Sequence, residues 1–494
     1  MASYFDEPDE YGSGAFVTID FNSMLREDHP AMLIKKFIST VNIKPFKKRY
    51  KVGRGKKGRA PKGIRMMIGL ILYGMYSRIY SAHKIDYASY SYSDFWIFTH
   101  KQRISHDKVS DFLNMHGDQL ISVFLETIVL SEKNDLLNFE AMFQDGFFIK
   151  ANASKSKNRK MKSLNNREQK ILEALENIIN KLKEKDEDEE SRKEQKSLTK
   201  KLEKISELKV ELNEKIENRE KKKRKDKIDK ENISINETDK DSNLMKMKDK
   251  SYANAYLKVA ATDSKADIVV GSVLDGFYDE SHNSVKLFRE SNKNCNVLGE
   301  YNKVCFDSGF NTMGTSVSFE AMGITAIGPT KAHENEKRNP EKQKHKIKMK
   351  YNHEKDVVIC SEEATLSKKS EYFDSDKQAL FWIFNNPDAC QKCGRQSECT
   401  ESKSGYRNVK IDSRTSCQQK VLDNYKSKEG QKIYNKRSHV AETFQGDLKK
   451  NGNFQQFYRR GLEKVKIDSL LHDIVWNLRR IINIKGADIT WNAT

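Results

Sequence analysis

Apolar positions recur every three or four residues through most of the first 140 residues, a period that predicts helices. Residues 31–40 (AMLIKKFIST), 64–77, 108–116 and 120–130 each carry such a stripe, separated by short polar joints. An all-α N-terminal domain over residues 1–140 follows. The pattern then changes. The segment MFQDGFFIKANAS, within residues 141–154, is a dense aromatic and β-branched run broken by Asp145-Gly146, and it predicts a strand. From 155 to 240 aliphatic residues return at helical spacing. Ile171, Leu175, Ile178 and Leu182 precede an acidic break at 185–190, and Leu198, Leu202, Ile205, Leu212 and Ile216 follow it. Stripes this narrow bury little beyond each other, so the expectation is a charged coiled-coil hairpin inserted into a globular domain. Residues 266–274 (ADIVVGSVL) predict a strong strand with 256–261 as its hairpin partner, and NKVCF (302–306) and TAIG (325–328) predict two short ones. Residues 141–154 and 241–330 thus form an α/β core. Residues 331–436 read as a basic, irregular insertion. Residues 437–494 read as a helical end, with Leu462, Val465, Leu470, Ile474, Val475, Leu478 and Ile482 in one wide apolar stripe.

Charge narrows the function classes. Among 494 residues, 90 Lys and Arg outnumber 71 Asp and Glu for a net charge of +19, which makes nucleic acid the leading partner class. Thirteen Lys or Arg and no Asp or Glu fall between Lys44 and Lys84, with Tyr50, Tyr73, Tyr76 and Tyr80 interleaved. Within that run Arg54, Lys56, Lys57, Arg59, Lys62 and Arg65 either contact phosphate or form a solvated basic face. Ser105 is a candidate N-cap opening a helix after Ile104, consistent with a helix-turn-helix unit. The acidic opening residues 1–10 lack the basic end and apolar stretch of a signal peptide. The longest apolar run, 64–76, is too short to span a bilayer, so no membrane partner is expected. Seven Cys, an odd number, suit a reducing cytoplasm better than a disulfide framework.

Three acids and four thiols carry candidate chemistry. A carboxylate inside an apolar strand is costly to bury unless it is paired or binds a metal, so Asp145 either serves that purpose or sits in a turn at a strand end. Asp307 follows NKVCF and precedes Gly309, the pattern by which α/β enzymes place a carboxylate at the carboxyl edge of a sheet. Glu442 and Lys449 are seven residues apart and would share one helix face. Cys360, Cys390, Cys393 and Cys399 form a C-x29-C-x2-C-x5-C array, either a zinc knuckle or unliganded thiols, with Cys417 as a rival ligand.

In this order the segments resemble a bacterial insertion-sequence transposase of the DDE, RNase H-like class. GRAPKGIRMMIGLILYGMYSRIYSAHKI resembles the N-terminal helical domain, FQDGFFIKANAS the first catalytic block and FDSGFNTMG the second. ETFQGDLKKNGNFQQFYRRGLEKV is similar to the third, acidic-helix block, and YFDSDKQALFWIFNNPDACQKCGRQSECT to a Cys-bearing segment that precedes it in one branch. The resemblance implies an RNase H-like core, a mixed sheet flanked by helices. It implies Asp145, Asp307 and Glu442 as the catalytic, metal-binding triad, taking Mg²⁺ or Mn²⁺ as two ions. Tyr434, Arg437, Glu442 and Lys449 read Y-x2-R-x4-E-x6-K, one residue longer between Arg and Glu than in related transposases. Arg437 and Lys449 are the phosphate contacts this block implies. The implied partners are double-stranded DNA, as element terminal inverted repeats and target, and a second copy of the chain. Cleavage and strand transfer would occur in the cytoplasm, at the nucleoid. The alternative is a non-catalytic DNA-binding or scaffolding protein derived from such an enzyme, which metal-dependent activity distinguishes.

Overall fold

The computed structural model describes residues 20–21, 23–48, 62–184, 189–222, 229–247, 249–276, 280–338, 349–375, 379–448, 452 and 454–491; the side chains of 184, 221–222, 280–282 and 438–442 lie outside that description. The chain divides into two compact units, residues 1–126 with 481–494, and residues 127–480.

The described part of the first unit is helical: α1 (Pro30–Thr40), α2 (Lys44–Lys47), α3 (Ile64–Tyr76), α4 (Ala82–Ser91), α5 (Trp96–Thr99), α6 (His106–His116) and the beginning of α7 (Leu120–Lys133). Pro30 suits the first turn of α1, where its missing N–H costs nothing, and the His29 ring accepts the Ala31 N–H. Helix α3 is apolar around most of its circumference and is buried along nearly all its length, the expected fate of such a helix. Ser105 does occupy the N-cap of α6, in extended conformation, but its side chain makes no capping bond. Between α4 and α6 lie a 3-10 turn (Ser93–Phe95) and α5, so the connection is longer than a tight helix-turn-helix joint. Buried Asp86 ties the two helices instead, accepting from Arg103 Nε at 2.7 Å and from the His106 N–H at 3.2 Å.

The second unit is built on a six-stranded mixed sheet. Its strands are β1 (Met142–Lys150), β4 (Asn243–Lys246), β5 (Tyr252–Asp263), β6 (Val269–Asp275), β7 (Lys303–Cys305) and β8 (Thr325–Ile327), in the order β4-β5-β1-β7-β8 with β6 also on β5. Long β5 pairs antiparallel with β1 along one edge, and β4 and β6 share its other edge. On the far side of β1 the pairing becomes parallel, through β7 to β8. The hairpin expected from 256–261 and 266–274 is thus β5–β6, and NKVCF and TAIG are β7 and β8. Helices α10 (Glu280–Cys295), α11 (Met313–Ala321) and α12 (Lys331–Arg338) follow the strands, so this unit is a mixed α/β structure, consistent with an RNase H-like arrangement.

Helices α8 (Met161–Glu184) and α9 (Glu189–Lys222) leave the sheet between β1 and β4 and pack on each other. Leu164 meets Ile205, Leu208 and Leu212, and Lys209 bonds Glu168 across the pair. A two-stranded ribbon of β2 (Asn158–Arg159) and β3 (Ile235–Asn236) closes the base of this excursion, reinforced by Arg159 Nε on Glu237 at 2.9 Å.

Residues 331–436, expected to be irregular, contain a five-stranded antiparallel sheet. Its strands are β9 (Met349–Asn352), β10 (Val357–Cys360), β11 (Thr365–Asp374), β12 (Ala379–Asn385) and β13 (Val409–Asp412), and α13 (Pro387–Gln391) and α14 (Gln396–Cys399) interrupt it. Val358, Leu366 and Phe384 form a buried cluster within it, with Tyr351 and Trp382 packed against them. The chain ends in α15 (Thr415–Lys426), α16 (Lys428–Gly446) and α17 (Leu462–Lys485). Among the described residues no helix is long and apolar enough to cross a membrane.

Candidate active site

The parallel register between β1 and β7 decides where the first two acids meet. Phe143 is opposite Cys305. Asp145 is two residues past Phe143 and Asp307 two past Cys305, so the carboxylates stand at equivalent levels on adjacent chains. This is the carboxyl edge of β7, where open α/β sheets place their ligands. Immediately after β7 the backbone turns, and the Gly309 N–H donates to Asp307 Oδ1 at 2.8 Å. Asp145 is the more enclosed of the two, 13% exposed against 35% for Asp307.

Helix α16 brings a cation to both. Arg437 Nη2 lies 2.9 Å from Asp145 Oδ1 and 3.7 Å from Asp307 Oδ2, so a single nitrogen spans the pair. Burial opposes the guanidinium charge, but the Asp145 and Asp307 carboxylates outweigh it and hold its pKa above the ordinary arginine value. Gln445 Nε2, two turns further along α16, donates to Asp145 Oδ2 at 3.3 Å.

The position of α16 is fixed by packing on the same strands. Ile433 on α16 and Leu422 and Tyr425 on α15 form a buried cluster with Ala141, Phe143, Cys305 and Ile327, and Tyr434 packs against it. The Tyr425 and Tyr434 rings meet edge to face at 4.7 Å. Burial pushes the Tyr434 hydroxyl up to about 12, and Arg437 pulls it back in part. At the α15–α16 joint, Ser427 Oγ caps α16 by accepting the Gly430 N–H at 2.9 Å. A Cβ at Gly430 would collide with the Asn424 carbonyl, so glycine permits this close approach. Further along, Phe444 is buried against Phe147 of β1 and Trp476 of α17, with ring centroids 6.0 and 5.2 Å away.

Of the site residues read from the sequence, Asp145, Asp307 and Arg437 are therefore brought together. Glu442 lies on α16 between Arg437 and Gln445, but its side chain is outside the described residues, as is the whole of Lys449. Arg54, Lys56, Lys57 and Arg59 are also outside them. Lys62 and Arg65 have internal acceptors, Gln102 Oε1 at 2.9 Å and the Ile38 carbonyl respectively. Gln445 was not anticipated. Its one available signal is its place eight residues after Arg437, about two helical turns, which puts both on one side of α16.

Cys360, Cys390, Cys393 and Cys399 all line one cavity of about 320 Å³, together with Met349, Glu362 and Arg407. The Cys393 N–H donates to the Cys390 carbonyl at 3.2 Å, forming the turn of the C-x2-C pair. Cys417 is elsewhere, lining a second cavity with Glu320 and Lys420. Cys295 and Cys305 are core residues. Among the described residues, no group of three or more His, Cys, Asp or Glu side chains is gathered closely enough to hold a metal ion.

No curated protein matches the chain. Residues 359–482 match a family model described as the transposase DDE domain. That stretch holds the four-cysteine segment, α15, α16 with Arg437 and Glu442, and most of α17, and it stops short of β1 and β7. Over that stretch, about a quarter of the chain, the match supports a DDE-type transposase.

Proposed function

We propose that the chain is a DNA transposase of the bacterial insertion-sequence kind, which binds its element's terminal inverted repeats and catalyses strand cleavage and strand transfer. What carries this reading is the carboxylate pair Asp145 and Asp307, level with each other and reached by Arg437 from the helix that also bears Glu442. These are hard oxygen donors, suited to Mg²⁺ or Mn²⁺, and Asp145, Asp307 and Glu442 would hold the ions. When bound, two such ions supply activation of the attacking oxygen and stabilisation of the leaving oxygen in in-line displacement at phosphorus. Water is the nucleophile for cleavage and a DNA 3′-hydroxyl the nucleophile for transfer. Buried packing of α16 on β1 and β7 keeps the protein groups in place through both steps.

DNA recognition belongs in this reading to the basic residues of 1–140, among them Arg54, Lys56, Lys57, Arg59, Lys62 and Arg65, with Lys449 as a phosphate contact of the third block. Two element ends must be joined, which favours a homodimer on DNA, in the cytoplasm and at the nucleoid. The four cysteines around one cavity would, if drawn closer together, hold a structural zinc ion beside the small second sheet and its buried cluster of Val358, Leu366 and Phe384. Metal content of the purified chain tests it: Cys390→Ser and Cys393→Ser should lose bound zinc, and a parent protein without zinc leaves the cysteines as plain thiols.

The test of function is end cleavage and joining on an element-end duplex with Mg²⁺, with Mn²⁺ and with EDTA. Asp145→Asn, Asp307→Asn and Glu442→Gln should each lower the metal-dependent product by about a hundredfold or more, comparable with removal of a group that stabilises transition-state charge. Full activity in all three variants removes the triad. Salt-dependent binding without cleavage by the folded parent would favour the regulator reading.

A further inference from the structure

We propose that Arg437 is the resident counter-cation of the carboxylate site, and that metal and DNA load the site by exchange: the guanidinium leaves the carboxylates for a DNA phosphate as the metal enters. The inference rests on the reading of Asp145 and Asp307 as metal ligands and adds how that site is kept and opened.

Three observations carry it. First, Arg437 Nη2 occupies the space between the two carboxylates, 2.9 Å from Asp145 Oδ1 and 3.7 Å from Asp307 Oδ2. A cation that bridges these oxygens contests that space with the guanidinium. Second, each carboxylate has another anchor on its other oxygen. Gln445 Nε2 reaches Asp145 Oδ2 at 3.3 Å, and the Gly309 N–H reaches Asp307 Oδ1 at 2.8 Å. Departure of the arginine therefore frees Asp145 Oδ1 and Asp307 Oδ2 from it while both carboxylates stay oriented. Third, Arg437 is itself largely enclosed, at 11% exposed, one turn beyond Tyr434, which packs against the buried cluster beneath α16. The helix is held while the long side chain supplies the movement.

Charge explains why such a resident is needed. Two carboxylates brought level on adjacent strands in a partly buried cleft repel, and a cation set between them offsets that repulsion. Arginine stays charged at any physiological pH, so it supplies a permanent counter-charge to the pair. Its planar fork also matches two phosphate oxygens, so a phosphodiester arriving at the cleft offers an alternative partner of the same chemistry. Metal and DNA then favour each other: each removes part of what holds the site closed to the other, and the linkage is reciprocal.

The experiment is Mn²⁺ binding to the full chain, followed by loss of the free-ion electron paramagnetic signal, with and without a duplex that cannot be cleaved. In the absence of DNA, Arg437→Gln is expected to bind Mn²⁺ roughly tenfold more tightly than the parent, a modest coupling between two sites. Arg437→Lys keeps the charge but lacks the planar fork and is expected to fall between them, which keeps the comparison available if the Gln variant does not fold. Duplex DNA should tighten Mn²⁺ binding more in the parent than in Arg437→Gln. Equal or weaker Mn²⁺ binding by both variants overturns the resident-cation role, and equal enhancement by DNA overturns the exchange. Asp145→Asn separates this from failure of the site itself. It should lose most Mn²⁺ binding, and if it binds like the parent the metal lies elsewhere and both readings fall.

Discussion

The fully buried ion pair between Lys258 of β5 and Asp473 of α17 makes a strong test of how the site helix is supported. Lys258 Nζ lies 2.6 Å from Asp473 Oδ1 and 3.0 Å from the Ser469 carbonyl, and the Ser272 hydroxyl donates to Asp473 Oδ2 at 2.5 Å. Both charged side chains are 0% exposed. Replacing Lys258 with Met removes the counter-charge and leaves Asp473 with the serine alone, and stranding one partner of a buried pair costs about 3–5 kcal/mol. The lower end is expected. Burial already pushes the Asp473 carboxyl upward, so the stranded acid takes a proton rather than remaining charged in the core. Asp473→Leu strands the ammonium in the same way, and burial already holds Lys258 below its ordinary value. The double variant has no charge left to strand and should lose clearly less than the two singles together, a coupling of at least about 2 kcal/mol within the range seen for contacting residues. Urea unfolding of the four proteins, read by far-ultraviolet circular dichroism and by tryptophan fluorescence, closes the cycle. The Lys258 nitrogen also sits 5.2 Å from the Phe444 ring of α16, so the single variants should lower strand cleavage as well as stability. Single-variant losses that simply add in the double, or singles within about 0.5 kcal/mol of the parent, the level of an ordinary surface change, would refute the argument.

Two further predictions follow from the packing. Gly430→Ala forces a methyl group against the Asn424 carbonyl at the α15–α16 joint and should cost about 1–3 kcal/mol in urea unfolding, with cleavage reduced. Gly446→Ala, at the other end of the same helix with nothing near its added carbon, should be neutral, and equal losses would dismiss the close-approach explanation. Lys215 of α9 donates to the Lys240 and Ser242 carbonyls, and burial is the main cause that lowers its pKa from 10.5 to about 8. Between those two values the unfolded chain binds more protons than the folded one, so this group makes stability rise with pH across that window, by about 3 kcal/mol in all. Lys215→Met should remove most of that increment, about 2 kcal/mol, from the difference in unfolding free energy between pH 8 and pH 10; identical slopes in parent and variant would contradict it.

How much of this was legible in the sequence depended on how much apolar surface each element buries. Helices α1, α3, α6 and α17 have wide stripes and were readable to within a few residues, and β5 to β8 announced themselves as apolar runs. The second sheet did not. Most positions of β11 are exposed, among them Lys368, Lys369 and Glu371, so neither alternation nor an apolar run marks it as a strand. It is held by pairing with β10 and β12 and by a small buried cluster around Leu366, which local pattern does not reveal. The acids divide in the same way. An aspartate in an apolar strand was visible at Asp145, but its neighbour depends on the pairing of Phe143 with Cys305 across 162 residues of chain, and register is not a local property. The helix α16 shows why the longer Arg-to-Glu spacing does not exclude Arg437. Arg437 and Gln445, about two turns apart, both reach Asp145, and Glu442 lies between them on the same helix. The helix is held by packing at Tyr434 before Arg437 and at Phe444 after it, so what brings Arg437 to Asp145 is the seating of α16 on the sheet and not the count of residues to the next acid.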